Sequence, residues 1–455
     1  GFRPQSPVLD TMRVAMFQPQ NDDDPWYFRL SVFNGDFTKK CDVREIRFGE
    51  ELPALRYGYW HAENAAPETA EERLLAGENG GRPEKLLVLL PGIGGDYSGM
   101  TSTALAELFY RSGWSVAVLD STFTWQFYLA TGGVLPGFLP QDGENVRRAI
   151  TLVLDDLKPS VDLVIAEQIV LTEQDAVFLR TLEAETGAFG QLAHPFRSRI
   201  TLMGYSFGAM HTLKVAELEQ QSNRLCIDRY VAINPPVDLR YAMKQADALA
   251  GTGRDWDADK AVATVIEIAG KAMGAMQNRY PSYDPENPGE EPFNYGVPLS
   301  QEEADYLAAL YFKTSMRGLL FTAHREKGLP ALSTEYRWGR RTELYREIDR
   351  VGFEEYAEKF ISPELAPLTL EELYAQSNLR AFGDSLAANP KVRVVHSADD
   401  FLLSGEDRRF LDRTFGGRLV WFDCGGHLGK GAVVIGSRLL HEGRKGRPDT
   451  SAICM

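Results

Sequence analysis

Apolar residues along this chain fall into two alternating patterns. Short continuous apolar runs bounded by turn residues read as strands buried on both faces: KLLVLL (85–90), WSVAVLD (114–120), RITLMGYS (199–206) and DRYVAINPP (228–236). Between them, apolar residues recur at helical spacing in TSTALAELFYRSG (101–113), which Gly113 closes, in GENVRRAITLVLDDLK (143–158) and in GAMHTLKVAELE (208–219). Strands alternating with helices predict βαβ units, and therefore a parallel sheet with helices on both faces. Ahead of this block, VREIRFG (43–49) and ALRYGYW (54–60) alternate as half-buried strands do. The stretch from Glu63 to Arg82 reads as a loop, and a helical insertion is expected from about Val164 to Glu185.

The alternation then breaks. Residues 239–390 read as mostly helical, with a loop rich in Pro, Asp and Glu at Tyr280–Pro298. Two capping boxes mark helix starts, Ser300 with Glu303 and Thr369 with Glu372. After Pro390 the pattern resumes with VRVVHSADD (392–400) as strand, GEDRRFLDRTFGG (405–417) as helix, RLVWFDCGGH (418–427) as strand, and a last helix. The expected division is an N-terminal segment with the first strands (1–84), an α/β core in two parts (85–238 and 391–455), and a helical cap or lid between them (239–390). No repeat of 20–50 residues interrupts this scheme.

Composition narrows the functional classes. At 455 residues and 44% hydrophobic the chain has ample material for a large core. A net charge of −15 would repel nucleic-acid phosphates, which argues against a nucleic-acid partner. No apolar run approaches the roughly 20 residues of a membrane span. The four cysteines (Cys41, Cys226, Cys424, Cys454) are scattered and the seven histidines show no ligand spacing, so neither a metal nor an organic cofactor is expected. The chain begins Gly1-Phe2, which fits a removed leader or a scar, and leaves cytoplasm and export both open.

Four glycine-containing or acidic turns carry candidate chemistry, each at the carboxyl end of an expected strand. Gly204-Tyr205-Ser206-Phe207-Gly208 is a GxSxG pentapeptide between a strand and a helix, the setting that holds a nucleophilic serine above a sheet. Gly425-Gly426-His427-Leu428-Gly429 supplies a histidine, the base a neutral hydroxyl needs. Ser397-Ala398-Asp399-Asp400 supplies an acid to orient that base, either Asp399 or Asp400. Pro91-Gly92-Ile93-Gly94-Gly95 would offer a backbone N–H to an oxyanion, from Ile93 or Gly94, alongside the N–H of Phe207.

These features resemble the α/β-hydrolase superfamily, and within it the lipase- and esterase-like members with a helical cap. The resemblance covers roughly residues 85–238 and 390–445 through PGIGG, GYSFG, HSADD and GGHLG. It implies an α/β-hydrolase fold, with a mostly parallel sheet of about eight strands. It carries nucleophile, acid and base onto Ser206, Asp399 and His427, because relatives with a Ser-Ala-Asp turn use that aspartate. Asp400 remains an alternative, as does Asp238 after the strand DRYVAINPP, where some lipases place the acid. The chain departs from many relatives at Pro91, where they have a histidine. Neither the first 40 residues nor the insertion near 160–195 matches the family pattern.

The resulting expectation is a serine hydrolase acting on a small-molecule ester through an acyl-enzyme. Aromatic and methionine residues of the cap (Met273, Met276, Tyr306, Tyr311, Phe312, Phe321) favour an apolar acyl group if some of them face the site. Acyl transfer or aminopeptidase activity on the same residues, and a non-catalytic binding module, are the alternatives. A dinucleotide-dependent oxidoreductase is a further rival, with Asp120 as the ribose-binding acid, but Tyr97 stands where GxGxxG needs a small residue.

Overall fold

A computed structural model describes residues 5–16, 35–62, 85–157, 200–277 and 299–428. The loop expected at 63–82, the helical insertion expected at 164–185, the loop at 280–298 and the last helix lie outside these residues. All eight expected strands form: β1 (Asp42–Ile46), β2 (Leu55–Trp60), β3 (Lys85–Leu90), β4 (Trp114–Leu119), β5 (Ile200–Tyr205), β6 (Arg229–Ile233), β7 (Val392–Ser397) and β8 (Leu419–Phe422). They make one sheet in the order β1-β2-β4-β3-β5-β6-β7-β8. The β1–β2 and β2–β4 pairs are antiparallel and the pairs from β4 through β8 are parallel.

The described residues hold eight helices of ten residues or more: α1 (Pro7–Met16), α2 (Met100–Arg111), α3 (Leu139–Asp156), α4 (Phe207–Ser222), α5 (Leu239–Ala250), α6 (Ala258–Gln277), α7 (Gln301–Lys327) and α8 (Gly405–Phe415). The pleat of the central strands feeds two cores. Leu86, Val88 and Leu90 of β3 pack in the core that holds Val146 and Ile150 of α3 and Met210 and Leu213 of α4. Leu87 and Leu89 of the same strand pack on the other face, with Leu105 and Phe109 of α2. Burying such a side chain stabilises the fold by roughly 1.5–3 kcal/mol, and the run from Leu86 to Leu90 is apolar throughout because water reaches neither face.

Strand β2 differs from expectation. Its alternation predicts one wet face, yet only Arg56 of its six residues is exposed. The other face is covered because Trp60 stacks on Phe37, ring centroids 5.1 Å apart, and its indole N–H donates to the Phe37 carbonyl.

The described residues between β6 and β7 are mostly helical as expected, and both capping boxes form. Helix α7 packs on α5 and on α1. Helix α1 gives structure to part of the first 40 residues, which carried no sequence signal. Val8 and Leu9 bury against Ala304 and Ala308 of α7. Among the described residues no helix is long and apolar enough to cross a membrane.

Candidate active site

Ser206 alone separates the last residue of β5 from the first of α4, at φ 57° and ψ −126°. A side chain in that backbone region is unfavourable by about 1–3 kcal/mol and persists only where the surroundings over-determine it. Here the Ser206 N–H donates to the Ile233 carbonyl at 2.9 Å, which ties the turn to β6. The two flanking glycines have steric causes. A Cβ on Gly204 would stand 2.2 Å from the Gly208 carbonyl oxygen, and one on Gly208 would stand 2.2 Å from the Leu90 carbonyl oxygen. The pentapeptide is therefore glycine at both ends because strand, helix and the β3 loop converge there.

His427 Nε2 lies 2.7 Å from Ser206 Oγ, and His427 Nδ1 lies 2.8 Å from Asp400 Oδ2. The acid beside the imidazole is thus Asp400 and not Asp399, which corrects the sequence expectation. Asp399 turns the other way and accepts from the Gly426 and Gly425 N–H groups at 2.8 and 3.1 Å, holding the loop that carries His427. Asp238 is also displaced from the site. It caps α5 by accepting from the Tyr241 N–H at 3.1 Å and faces Arg380 at 3.6 Å. Asp400 is fully enclosed. Burial alone would raise its carboxyl, but the charge and hydrogen bond of His427, with His396 and the Leu402 N–H, outweigh burial and hold it at about 2.

Two residues that sequence reasoning missed complete this cluster. Asn234 Nδ2 lies 3.0 Å from Asp400 Oδ2 and 3.3 Å from His396 Nδ1. Their only sequence signal is a polar side chain at or just past the carboxyl end of a strand.

The glycine loop after β3 closes over the serine. A Cβ on Gly92 would meet Ser206 Cβ at 2.9 Å, and the Gly95 N–H donates back to the Gly92 carbonyl at 3.0 Å. Ile93 and Phe207 line the same pocket as Ser206. Gly94 differs: at φ +66° its missing Cβ would fall 2.0 Å from Ser315 Oγ of α7, so it faces the helix. The pocket, partly open to solvent, is walled by apolar side chains, including Leu239 and Met243 of α5, Phe312 of α7 and Phe353.

An eight-stranded sheet with two antiparallel edge strands now stands with a strained serine elbow after β5 and a histidine after β8. The chain has the α/β-hydrolase fold. No protein-family model matches it, and no curated protein does. Among solved structures it is similar to a thioesterase domain from the curacin biosynthetic pathway, at 12% identity over 88% of this chain and 98% of that one, TM-score 0.34. It is similar also to a fungal esterase from Rhizomucor miehei, at 12% identity over 98% of both chains, TM-score 0.39. An esterase from Pyrobaculum calidifontis is 14% identical over 93% of this chain and 89% of that one, TM-score 0.35. Similarity at this level is remote, and the fold assignment rests on the strand order and the elbow.

The glycine loop after β3 is placed differently from a dinucleotide fingerprint. Its backbone packs on Ser206, and α2 begins only at Met100 after Gly99, so the glycines do not open the helix terminus that a pyrophosphate needs. Asp120 is buried at the end of β4. Burial, with the Asp96 charge beside it, raises its carboxyl to about 7 against one N–H from Tyr97. Of the aromatic residues of the helical segment, Phe312 reaches the pocket and the Tyr311 hydroxyl donates to the Ile93 carbonyl. Tyr306 instead stacks on Trp256 at 4.6 Å, and Phe321 packs against Tyr345 at 4.9 Å. The side chains of Met273 and Met276 lie outside the described residues.

The histidine loop is covered from outside by α1. A Cβ on Gly426, at φ +62°, would fall 1.9 Å from the Pro7 carbonyl oxygen. Phe401, packed against the same small cluster as Val8 and Leu9, stands edge-on to the His427 ring at 5.9 Å.

Proposed function

We propose that this chain is a serine hydrolase that cleaves a carboxylic ester or related acyl bond through an acyl-enzyme on Ser206. The observation that carries the reading is the continuous relay from Ser206 Oγ to His427 Nε2 (2.7 Å) and from His427 Nδ1 to Asp400 Oδ2 (2.8 Å) beside an apolar pocket. His427 takes the serine proton as the hydroxyl oxygen attacks the acyl carbon, then gives it to the departing alkoxide. Asp400 holds the imidazole with its proton on Nδ1 and stabilises the charged ring. The N–H groups of Phe207 and Ile93 are the candidate donors to the tetrahedral oxyanion. Water, activated by the same histidine, then releases the acid and restores Ser206.

Residues 239–390 act in this reading as a cap that shapes the acyl site. Leu239, Met243, Phe312 and Phe353 supply pocket wall, and Ser206 is the one polar residue lining it among the described residues. No carboxylate there would receive the ammonium group of an aminoacyl substrate, which favours an apolar acyl ester over an aminopeptidase substrate.

Labelling with a fluorophosphonate probe, followed by peptide mapping, tests the reading. Modification at Ser206, absent from Ser206→Ala and His427→Ala, is expected. A folded, monodisperse protein that takes no label at Ser206 would overturn it. Hydrolysis of acyl esters of increasing chain length, compared with aminoacyl amides, tests the substrate class, and a preference for the amides would reverse the choice of ester.

A further inference from the structure

We propose that Asn234 is a positioning residue for the Asp400–His427 pair, its side-chain amide clamping the carboxylate between the imidazole of His427 and the buried ring of His396. This rests on the reading of Ser206 and His427 as nucleophile and base given above. Asn234 is the first residue beyond β6 and is completely buried. Its N–H donates to the Val395 carbonyl at 2.8 Å, which ties its backbone to β7, the strand that leads to Asp400. Its Nδ2 stands 3.0 Å from Asp400 Oδ2, the same oxygen that meets His427 Nδ1. A carboxylate only accepts, so the group facing it is the NH2 and not the amide oxygen.

The second amide hydrogen has its own partner. His396 is fully buried and its Nε2 lies 3.2 Å from the Pro235 carbonyl; with the Asn234 NH2 facing Nδ1 as a donor, the arrangement is satisfied when Nε2 bears the hydrogen. Burial pushes the His396 ring down below its ordinary pKa, against the opposing charge of Asp400, and keeps it neutral. Its Nδ1, which also stands 3.2 Å from the Ser397 carbonyl, then carries no proton and is left to accept from Asn234. One amide thus bridges the carboxylate and the second imidazole. Two local penalties are concentrated on this residue: a positive φ of 48° and a buried amide oxygen with no partner among the described residues. Such concentration is expected where geometry serves a site and not the fold alone. Asparagine also supplies the shape of aspartate without its charge, at a place where a second carboxylate would face Asp400 across about 3 Å.

The groups that face Asp400 are His427, the Leu402 N–H, His396 from β7 and Asn234 from just beyond β6. Asp399, next in the chain, is turned to the Gly425 and Gly426 N–H groups. This set makes the pH profile diagnostic. The rate of Ser206 phosphonylation by a fluorophosphonate would be measured from about pH 4 to pH 10 for the wild type, Asn234→Asp and Asn234→Gly, with circular dichroism to show that each is folded. Asn234→Asp is isosteric, and Asn234→Gly keeps the positive φ while removing the amide. In Asn234→Asp a second carboxyl faces Asp400 across about 3 Å, and wherever both are ionised the added negative charge favours the imidazolium, so the acidic limb of the profile is expected to move up by about one pH unit or more. In Asn234→Gly the plateau rate is expected to fall about tenfold with unchanged probe affinity. Folded variants that keep the wild-type midpoint and plateau would overturn the role of Asn234. Absence of labelling in the wild type would instead overturn the serine reading, so the two failures are distinguishable.

Discussion

Asp399 and Asp400 are consecutive, and their carboxylates hold different parts of one loop. Asp400 meets the His427 ring at 2.8 Å, while Asp399 meets the Gly426 N–H at the same distance. One orients the imidazole and the other anchors the backbone that delivers it. Asp400→Asn leaves the shape intact but removes the charge that holds the His427 proton on Nδ1. Turnover on an ester is expected to fall about 10^3–10^4-fold. Asp399→Asn keeps acceptor capacity for one N–H, and a loss nearer tenfold is expected. Steady-state kinetics of the two variants decides between them, and the reverse ranking would make Asp399 the acid.

Helix α7 touches the glycine loop after β3 at two points, through the Tyr311 hydroxyl on the Ile93 carbonyl and through Ser315 against Gly94. Tyr311→Phe removes the first. The Ile93 peptide then loses one constraint on the direction of its N–H, and kcat is expected to drop about tenfold with KM little changed. A rise in KM at constant kcat would place Tyr311 in substrate binding instead.

Pocket wall residues should set acyl length. Met243 and Phe312 both line the cavity beside Ser206. Met243→Trp is expected to reduce kcat/KM for longer acyl esters by about tenfold or more while sparing acetate esters, since each excluded methylene is worth about 1 kcal/mol or more. Phe312→Ala should shift preference toward longer chains. A series of p-nitrophenyl esters reads both, and unchanged profiles would place the acyl chain elsewhere.

Asp120 predicts a pH dependence of stability. Its carboxyl is raised to about 7 in the folded chain, chiefly by burial, whereas an unfolded carboxylate titrates near ~4. Between these values the native state holds a proton that the unfolded state does not, so this group lowers stability as pH rises, fully above about 7. Asp120→Asn can still accept from the Tyr97 N–H and removes the effect. The variant is expected to melt above the wild type at about pH 8 and together with it near pH 4. Equal melting temperatures at the higher pH would refute this assignment.

Much of the fold was legible because it follows local rules. Strands β3 to β6 stand where continuous apolar runs stand, and both expected capping boxes formed. A third box, Ser404 with Asp407, was missed because its N3 residue is Asp in place of the usual Glu. The wet face expected for β2 is absent because Phe37 covers Trp60, a contact no periodicity reports. Helix α1 escaped notice because it is a single ten-residue stretch whose buried residues Val8 and Leu9 find their partners in distant segments, Ala304 and Ala308 of α7 with Leu249 and Phe401 beside them.

By itself the sequence determined the alternating α/β pattern and the turns at which Ser206 and His427 stand. Both depend on short-range constraints: an apolar run buried on two faces, and glycines wherever backbone approaches backbone. Only the tertiary structure decided which aspartate meets His427, because side chains after a strand change direction with each residue of the turn. It alone brought Asn234 to Asp400, 166 residues away, by laying β6 beside β7. It alone walled the pocket with Met243 and Phe312 and set α1 on Gly426. Those contacts join segments far apart in the chain, and their geometry is set by strand register and helix packing, which no single segment encodes.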